Sequence, residues 1–256
     1  MQQQMTDPPV ALNPDLDLSG VRERFDKTGR LVIKDILHPA TAGKLYACLS
    51  EETPWMFAYN EGNDAKYLSK QQLDAMSPQQ KGAMTQQILA NASEKFQYAY
   101  SDFPVSGTAN IPNQPKFYTH KILKFMNDTV FRELITKVTG IEGDIEIDSH
   151  ATCFHPGHFL TAHTDKQTDD DPRLVAYVIN MTPVWRGDWG GSTVFYDDDQ
   201  NVVETIVPIF NSLSMFKIPQ SHSVSFVPPY CTKMRFGMTG WLFRPGSHSA
   251  PMRTSQ

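Results

Sequence analysis

Two hydrophobic patterns divide the chain near residue 141. Before it, apolar residues recur mainly at the spacing of helices, whereas after it short β-branched and aromatic runs alternate with turn residues. The first pattern predicts helices over residues 21–27, 40–51, 78–99 and 117–126, and one more that Asp128 caps and Gly140 ends. The second predicts strands over residues 145–147, 151–154, 174–181, 192–196, 202–207, 213–217, 224–227 and 236–243.

About eight short strands at this spacing are typical of a sandwich or jelly roll. We therefore predict an α+β chain that is mainly β, with a jelly-roll core (a double-stranded β-helix) supported by N-terminal helices. Within the first half, residues 31–33 and 55–59 also read as strands, while 60–66 and 101–115 read as loops, the second a candidate lid. Phe96, Tyr98 and Tyr100 are interpreted as core at the end of a helix.

These patterns predict one domain in four stretches. Residues 1–18 are polar and proline-bearing and predict a flexible tail, and residues 246–256 predict another. Residues 19–140 form a helical and mixed support region. Residues 141–245 form the jelly-roll core.

Composition excludes several classes of protein. The 256 residues are 40% hydrophobic and 20% charged, which suits a packed core. The net charge of −5 argues against nucleic-acid binding, which uses a basic face. The three cysteines form no CxxC pair and suggest a reducing compartment. We expect a cytoplasmic protein, because no signal peptide and no apolar run of ~20 residues is seen. Oligomeric state is not predicted.

A histidine and a carboxylate two residues apart, His163 and Asp165, are candidate metal ligands. On a strand this spacing places both side chains on one face. His222 follows after an apolar strand and could add a second imidazole. Two histidines and a carboxylate suit a non-haem Fe(II) site. On the HxD motif alone, a core histidine and a turn-capping aspartate remain an alternative.

Arg235 lies in an otherwise apolar strand, which is costly unless an anion meets it. Its planar fork suits a carboxylate. An ordinary structural salt bridge is the alternative.

Residues 151–243 resemble the catalytic core of the 2-oxoglutarate- and Fe(II)-dependent dioxygenases, in the branch of the prolyl 4-hydroxylases. The resemblance covers roughly the last 40% of the chain and depends on the order and spacing of several segments. These are His155-Pro156-Gly157 before His163-Thr164-Asp165, residues 173–180, Trp185 with Gly190-Gly191, residues 211–216, Ser221-His222-Ser223, and residues 235–242.

The resemblance implies that His163, Asp165 and His222 bind iron and that Arg235 binds the far carboxylate of 2-oxoglutarate, with Thr239 nearby. The family often has one tyrosine before the proline-glycine pair and another on the following strand, both bonded to the cosubstrate. Here His155 stands at the first position, a departure from the pattern. Tyr177 or Val178 fits the second, depending on the register, because a slip of one residue exchanges faces.

The implied activity is hydroxylation of a prolyl residue, or of an amino-acid or peptide-like substrate. It uses Fe(II), 2-oxoglutarate and O2, forms succinate and CO2, and has ascorbate as a candidate reductant. Partners are then a small-molecule or a peptide or protein substrate, with no nucleic acid and no membrane. Two alternatives are a cupin-like metal enzyme that does not use 2-oxoglutarate and a non-catalytic jelly-roll binding module.

The other histidines carry weaker expectations. His155 and His158 form an HxxH pair that we expect to line the cleft or a loop. Four more have no partner at a telling spacing and are interpreted as structural or exposed: His38, His120, His150 and His248. Trp55, Tyr59 and the 101–115 loop are candidates for the substrate rim.

Overall fold

The computed structural model of the chain describes residues 7–62, 64–166, 168 and 170–246. Its α-helices are α1 Val21–Thr28, α2 Pro39–Ala47, α3 Lys70–Ala75, α4 Pro78–Ala92, α5 Val105–Ala109, α6 Tyr118–Met126 and α7 Thr129–Thr139. A π-helical turn, Cys48–Glu52, follows α2, and a 3-10 turn covers Gly187–Trp189.

The strands are β1 Arg30–Ile33, β2 Met56–Glu61, β3 Asp64–Ser69, β4 Tyr98–Phe103, β5 Glu146–Ile147, β6 His150–Phe154, β7 Phe159–His163, β8 Arg173–Asn180, β9 Thr193–Tyr196, β10 Val202–Ile206, β11 Ser212–Lys217, β12 His222–Val224 and β13 Arg235–Phe243. They form one antiparallel sheet, in which ten strands follow the path β1-β11-β8-β13-β6-β4-β7-β12-β9-β10, while β2 pairs with β3 and β4, and β5 pairs with β13. β4 pairs with both β6 and β7 and so joins the two layers of a jelly roll.

One layer of the jelly roll contains β8, β13 and β6, and we call it the first layer. Its two faces have different surroundings. Val175, Tyr177 and Ile179 of β8 share the main hydrophobic cluster with side chains from α1, α2, α6 and α7. Ala176 instead packs against apolar residues of β9, β10 and β11 inside the roll. We call these the helix-covered face and the interior face. Side chains alternate between them along each strand, so a residue's parity decides whether it can reach the interior.

Local signals place the start of α4 and the end of α7 where the sequence predicts them. Ser77 caps α4 in a reciprocal capping box with Gln80, and Pro78 occupies its first turn. Gly140 ends α7 in the left-handed conformation, with its N–H bonded to the carbonyl of Thr136.

Three predictions about the first half are wrong. Residues 60–66, expected to be a loop, include the end of β2 and the start of β3 in a hairpin. α4 ends at Ala92, and Tyr98 and Tyr100 lie on β4, not at the end of a helix. The 101–115 segment is not wholly a loop, since it contains the end of β4 and α5. β4 is buried at every position, so it lacks the alternation that identifies a strand.

The N-terminal region does more than support the core. β1 pairs with β11, and β4 is inserted between β6 and β7, so strands from both halves share the sheet. The described part of the expected tail, residues 7–18, lies against the body of the protein. Leu12 pairs with Leu37, and the Tyr118 hydroxyl donates to the carbonyl of Pro8. Residues 1–6 and 247–256, including His248, lie outside the described residues.

No helix within the described ranges is long and apolar enough to cross a membrane.

Asn211 connects the start of β11 to the segment between β1 and α2. Its side chain accepts a hydrogen bond from Leu37 N at 3.0 Å and donates to Leu37 O at 2.8 Å, both in buried surroundings. Its own carbonyl accepts from Ile36 N, and its backbone φ is 55°. Asparagine tolerates this left-handed conformation better than most residues do.

We expect Asn211→Ala to lower the free energy of unfolding by about 2–3 kcal/mol, because two buried hydrogen bonds are lost and alanine is strained at this φ. Urea denaturation measures the change. Asn201→Ala, at an exposed turn where the side chain bonds only Asp197, is the control. Equal losses in the two variants would contradict the assignment.

His158 is a second constraint on stability. Its Nδ1 accepts from the backbone N–H of His155 at 3.1 Å, and its ring lies 4.9 Å from that of His155. Burial, with a smaller contribution from His155, lowers the pKa of His158 to about 3. Below pH ~6.5, therefore, His158 is protonated in the unfolded chain but stays neutral in the folded chain.

Stability should consequently fall as the pH decreases from about 6.5 towards 4, with His158 contributing roughly 1.4 kcal/mol per pH unit. His158→Gln should flatten this slope in urea titrations at several pH values. A variant whose stability fell as steeply as that of the wild-type protein would show that His158 is not the group responsible.

Candidate metal centre

His163, Asp165 and His222 meet inside the jelly roll, and we call them the triad. His163 ends β7, and His222 begins β12 as its antiparallel partner. Asp165 follows β7 by two residues. One donor atom from each residue lies within 4.8 Å of the other two. Asp165 Oδ1 is 3.7 Å from His163 Nε2, and Asp165 Oδ2 is 3.7 Å from His222 Nε2. These separations suit ligands of a shared ion.

Backbone carbonyls orient both imidazoles. His163 Nδ1 lies 2.9 Å from Thr161 O, and His222 Nδ1 lies 2.9 Å from Gln220 O. A carbonyl oxygen can only accept, so each Nδ1 carries the proton. Each Nε2 then presents a lone pair to the space shared with Asp165, as metal-binding histidines require.

The protonation states of the triad also suit a cation. Burial alone would raise the pKa of Asp165, but His163, His222 and the indole of Trp241 outweigh it and lower the pKa to about 2. Burial and the neighbouring His163 lower the pKa of His222 to about 4. At neutral pH the site therefore offers a carboxylate and a neutral imidazole, the forms that bind metals.

The donor set fits Fe(II), since two imidazole nitrogens and one carboxylate form the facial site of non-haem iron oxygenases. Aromatic side chains surround it. The His222 ring lies 4.5 Å from that of Phe216, and the His163 ring lies 5.0 Å from that of Phe96.

Arg235 lies at the start of β13, opposite Phe154 of β6, and is only 5% exposed. Its Nη2 donates to Asn180 Oδ1 at 3.3 Å, and its guanidinium carbon lies 5.2 Å from the centre of the Phe154 ring. Nη1 is buried with no hydrogen-bond partner among the described residues. Burial lowers the pKa of Arg235 to about 10, so it remains a cation at neutral pH. A buried cation with a free donor fits an anionic ligand.

β13 links Arg235 to the triad. Arg235, Gly237, Thr239 and Trp241 alternate with the helix-covered residues of this strand and so face the interior. The indole Nε1 of Trp241 makes no hydrogen bond of ordinary geometry to a described residue, but it helps to lower the pKa of Asp165. Trp241 therefore lies beside the triad, with Arg235 at the other end of the same row.

The structure does not place Tyr177, which we expected to bind the cosubstrate, beside the triad. Tyr177 lies on the helix-covered face, where its hydroxyl donates to Asp148 O at 2.8 Å and burial raises its pKa. The alternation of β8 places Val178, opposite Thr239, on the interior face. Of the two residues that the sequence left open, Val178 is the one that faces inward.

His155 is likewise not brought to the triad. Its Nε2 lies 3.4 Å from Cys153 Sγ, and Cys153 belongs to the cluster beneath the helices. Phe154, the preceding residue, takes the position beside Arg235. Thr239 does face the interior, but its hydroxyl donates to Tyr177 O at 2.9 Å.

The proposed rim residues also lie elsewhere. Trp55 packs against the main core and the Phe236 ring, and Tyr59 packs beside α4. Two interior features were missed. Asn180, which meets Arg235, is oriented by Ser212 and Ser214 at 3.3 and 3.4 Å.

The other missed feature is a buried pair in which His150 Nδ1 meets Asp102 Oδ1 at 3.0 Å. His150 is therefore not the unpaired residue that its spacing suggested, because its partner lies 48 positions away on another strand.

A family model described as the 2OG-Fe(II) oxygenase superfamily matches residues 149–243. Mouse prolyl 3-hydroxylase OGFOD1 is 27% identical over 164 residues, which are 61% of this chain and 29% of the mouse protein. The chain thus spans less than a third of that relative's length.

Two solved structures share the fold at low identity. A prolyl hydroxylase from Trichoplax adhaerens, in complex with a peptide fragment of the hypoxia inducible factor oxygen degradation domain, is 19% identical, with a TM-score of 0.55 and 87% of each chain covered. A 2OG-Fe(II) oxygenase family oxidoreductase from Burkholderia pseudomallei is 12% identical, with a TM-score of 0.57 and 95% and 97% covered.

The matched segment contains His163, Asp165, His222 and Arg235, together with the strands that carry them. Residues 149–243 are thus similar to the 2OG-Fe(II) oxygenase superfamily, and the chain is similar to a mouse prolyl 3-hydroxylase.

Proposed function

We propose that this protein is an Fe(II)- and 2-oxoglutarate-dependent oxygenase that hydroxylates a prolyl residue in a peptide or protein. One observation carries the proposal: a two-histidine, one-carboxylate triad shares the interior of the jelly roll with a buried arginine that has an unpaired donor. The alternative of a cupin-like enzyme without 2-oxoglutarate gives Arg235 no task.

In this proposal His163, Asp165 and His222 hold the iron. They would leave the remaining coordination positions of the ion to 2-oxoglutarate and O2. With these cosubstrates, iron supplies oxidative decarboxylation to succinate and CO2 and places one oxygen atom in a substrate C–H bond. Ascorbate is a candidate for keeping the iron reduced.

Arg235 then positions the cosubstrate by binding its far carboxylate, while Asn180 holds the guanidinium in place through its bond to Nη2. Charge balance supports this role. The ion and Arg235 bring three positive charges, Asp165 brings one negative charge, and the dianion of 2-oxoglutarate neutralises the remainder.

The substrate class is the finer part of the proposal. The 27% identity with a prolyl 3-hydroxylase supports a prolyl substrate, although most of that protein's length lies outside the match. Phe96, in ring contact with both His163 and Tyr98, offers apolar surface beside the triad for a pyrrolidine ring. A free amino acid is the other substrate consistent with the chemistry.

Asp165→Ala should abolish succinate formation from 2-oxoglutarate, because it removes the only charged ligand of the triad. The assay measures succinate with and without added Fe(II), together with the gain of one oxygen atom in proline-containing peptides by mass spectrometry. Asp188→Ala, at an exposed carboxylate paired with Arg186, is the control. Undiminished turnover in Asp165→Ala would refute the ligand assignment.

Arg235→Met should separate stability from function. In the absence of 2-oxoglutarate the variant should melt at the same or a higher temperature, since an uncompensated buried charge is replaced by an apolar chain. Its affinity for 2-oxoglutarate should fall about 100-fold with the loss of charged hydrogen bonds. Arg22→Met, at an exposed arginine, should change neither quantity. An unchanged affinity in Arg235→Met would show that the carboxylate binds elsewhere.

A further inference from the structure

The interior face of the first layer keeps an open strip between Arg235 and the triad. His150, Thr239 and Val178 are neighbours across β6, β13 and β8 and share this face. All three are only partly buried, although strands flank them and the next row, Thr152, Gly237 and Asn180, is buried. The side chain of His150 keeps 13% of its exposure. Their exposure indicates an unfilled space over the middle of β13.

His150 is held rigidly at the edge of this space. Its Nδ1 lies 3.0 Å from Asp102 Oδ1, and since an ionised carboxylate only accepts, Nδ1 carries a proton. Asp102 belongs to β4 and is 1% exposed. His150 Nε2 makes no hydrogen bond to the described residues and is not a fully buried atom. It is therefore available to a ligand in the open strip.

The charges around His150 favour its protonated form. Burial lowers its pKa, but Asp102 and, more weakly, Asp148 outweigh burial and raise it. Asp148 precedes β6 and itself faces Arg173 of β8, while the neutral Thr239 lies opposite His150 on β13.

We infer that His150 is a second hydrogen-bond donor to 2-oxoglutarate, acting through Nε2–H between the triad and Arg235, and that Asp102 is its positioning residue. The inference rests on the proposed function and adds to it a ligand contact made by a residue for which sequence spacing gave no role. It also gives the N-terminal region a part in the site, because β4 supplies Asp102.

Two other polar side chains near the strip, Thr239 and Asn180, have their hydrogens committed. Thr239 donates to a backbone carbonyl, and the Asn180 amide is engaged by Ser212 and Ser214. Tyr177 and His155 lie away from the interior. Arg235 and His150 are side chains of this face that each keep a nitrogen unpaired by described residues. A dicarboxylate that reaches from the metal to Arg235 passes the row of His150.

Burial of the pair is itself informative. Asp102 Oδ2 is buried and has no hydrogen-bond partner among the described residues. Asp102 is also close enough to raise the pKa of Tyr98, Tyr100 and Tyr67, whose shifts arise chiefly from burial. A buried ion pair in such surroundings contributes little to stability, whereas perturbed buried pairs are frequent in functional sites. A purely structural pair joining β4 to β6 is the reading that the experiment must exclude.

The test is calorimetric titration of 2-oxoglutarate into the full chain loaded with Mn(II), which occupies the site without turnover. His150→Gln should weaken binding about tenfold, the effect of losing one hydrogen bond to a charged group. His120→Gln, at a partly buried histidine bonded to Thr108 on the helical side, should leave the affinity unchanged. Melting temperatures check that each variant is folded.

Asp102→Asn gives a second and independent readout. It keeps an acceptor for Nδ1 but removes the charge that raises the pKa of His150. Its loss of affinity relative to the wild-type protein should therefore be larger at pH 8 than at pH 6, because His150 of the variant holds its proton less firmly than the wild-type residue does. If the Asp102–His150 pair were purely structural, the ratio of the variant's affinity to the wild-type affinity would not depend on pH.

The outcomes separate the two proposals. If the wild-type protein binds no 2-oxoglutarate with Mn(II), the proposed function fails and this inference fails with it. If the wild-type protein binds and His150→Gln matches it within twofold, the inference alone is overturned. Should His150→Gln not fold, the pH contrast of Asp102→Asn decides, and equal ratios at pH 6 and pH 8 overturn it.

Discussion

The guanidinium of Arg235 is enclosed by the jelly roll with no carboxylate bonded to it among the described residues. Desolvating such a cation costs several kcal/mol unless an anion compensates it. The free protein carries that cost, and the anionic cosubstrate would remove it. The roles that we assign to the triad, to Asn180 and to the open strip over β13 all depend on this one uncompensated charge.

The alternation of side chains along β8 and β13 separates the two tasks of the sheet. One face buries Tyr177, Ile179 and Met238 against the helices and provides stability, with each fully buried large side chain contributing roughly 1.5–3 kcal/mol. The other face carries Arg235, Thr239 and Val178 and remains partly open. Because the period is two, neither face can change its role without a shift in the register of the whole strand.

Much of the metal centre could be predicted from the sequence, because its signals are local. His163 and Asp165 are two residues apart, and His222 and Arg235 follow at characteristic places in a strand pattern. The choice between Tyr177 and Val178 depends on register, which the strand pattern alone does not determine. β4 was mistaken for a helix end because it is buried on both faces. The Asp102–His150 pair joins strands from the two halves of the chain, so no short residue spacing in the sequence predicts it.

The most direct measurement of the central claim is the fate of 2-oxoglutarate under labelled oxygen. The protein is incubated with Fe(II), ascorbate and 2-oxoglutarate under ¹⁸O₂, and the mass of the succinate formed is measured by mass spectrometry. The account predicts succinate that carries one ¹⁸O atom, formed only when iron is present and strongly reduced in Arg235→Met at the same concentration of 2-oxoglutarate. Absence of succinate from an iron-loaded protein, or succinate without the label, would contradict it.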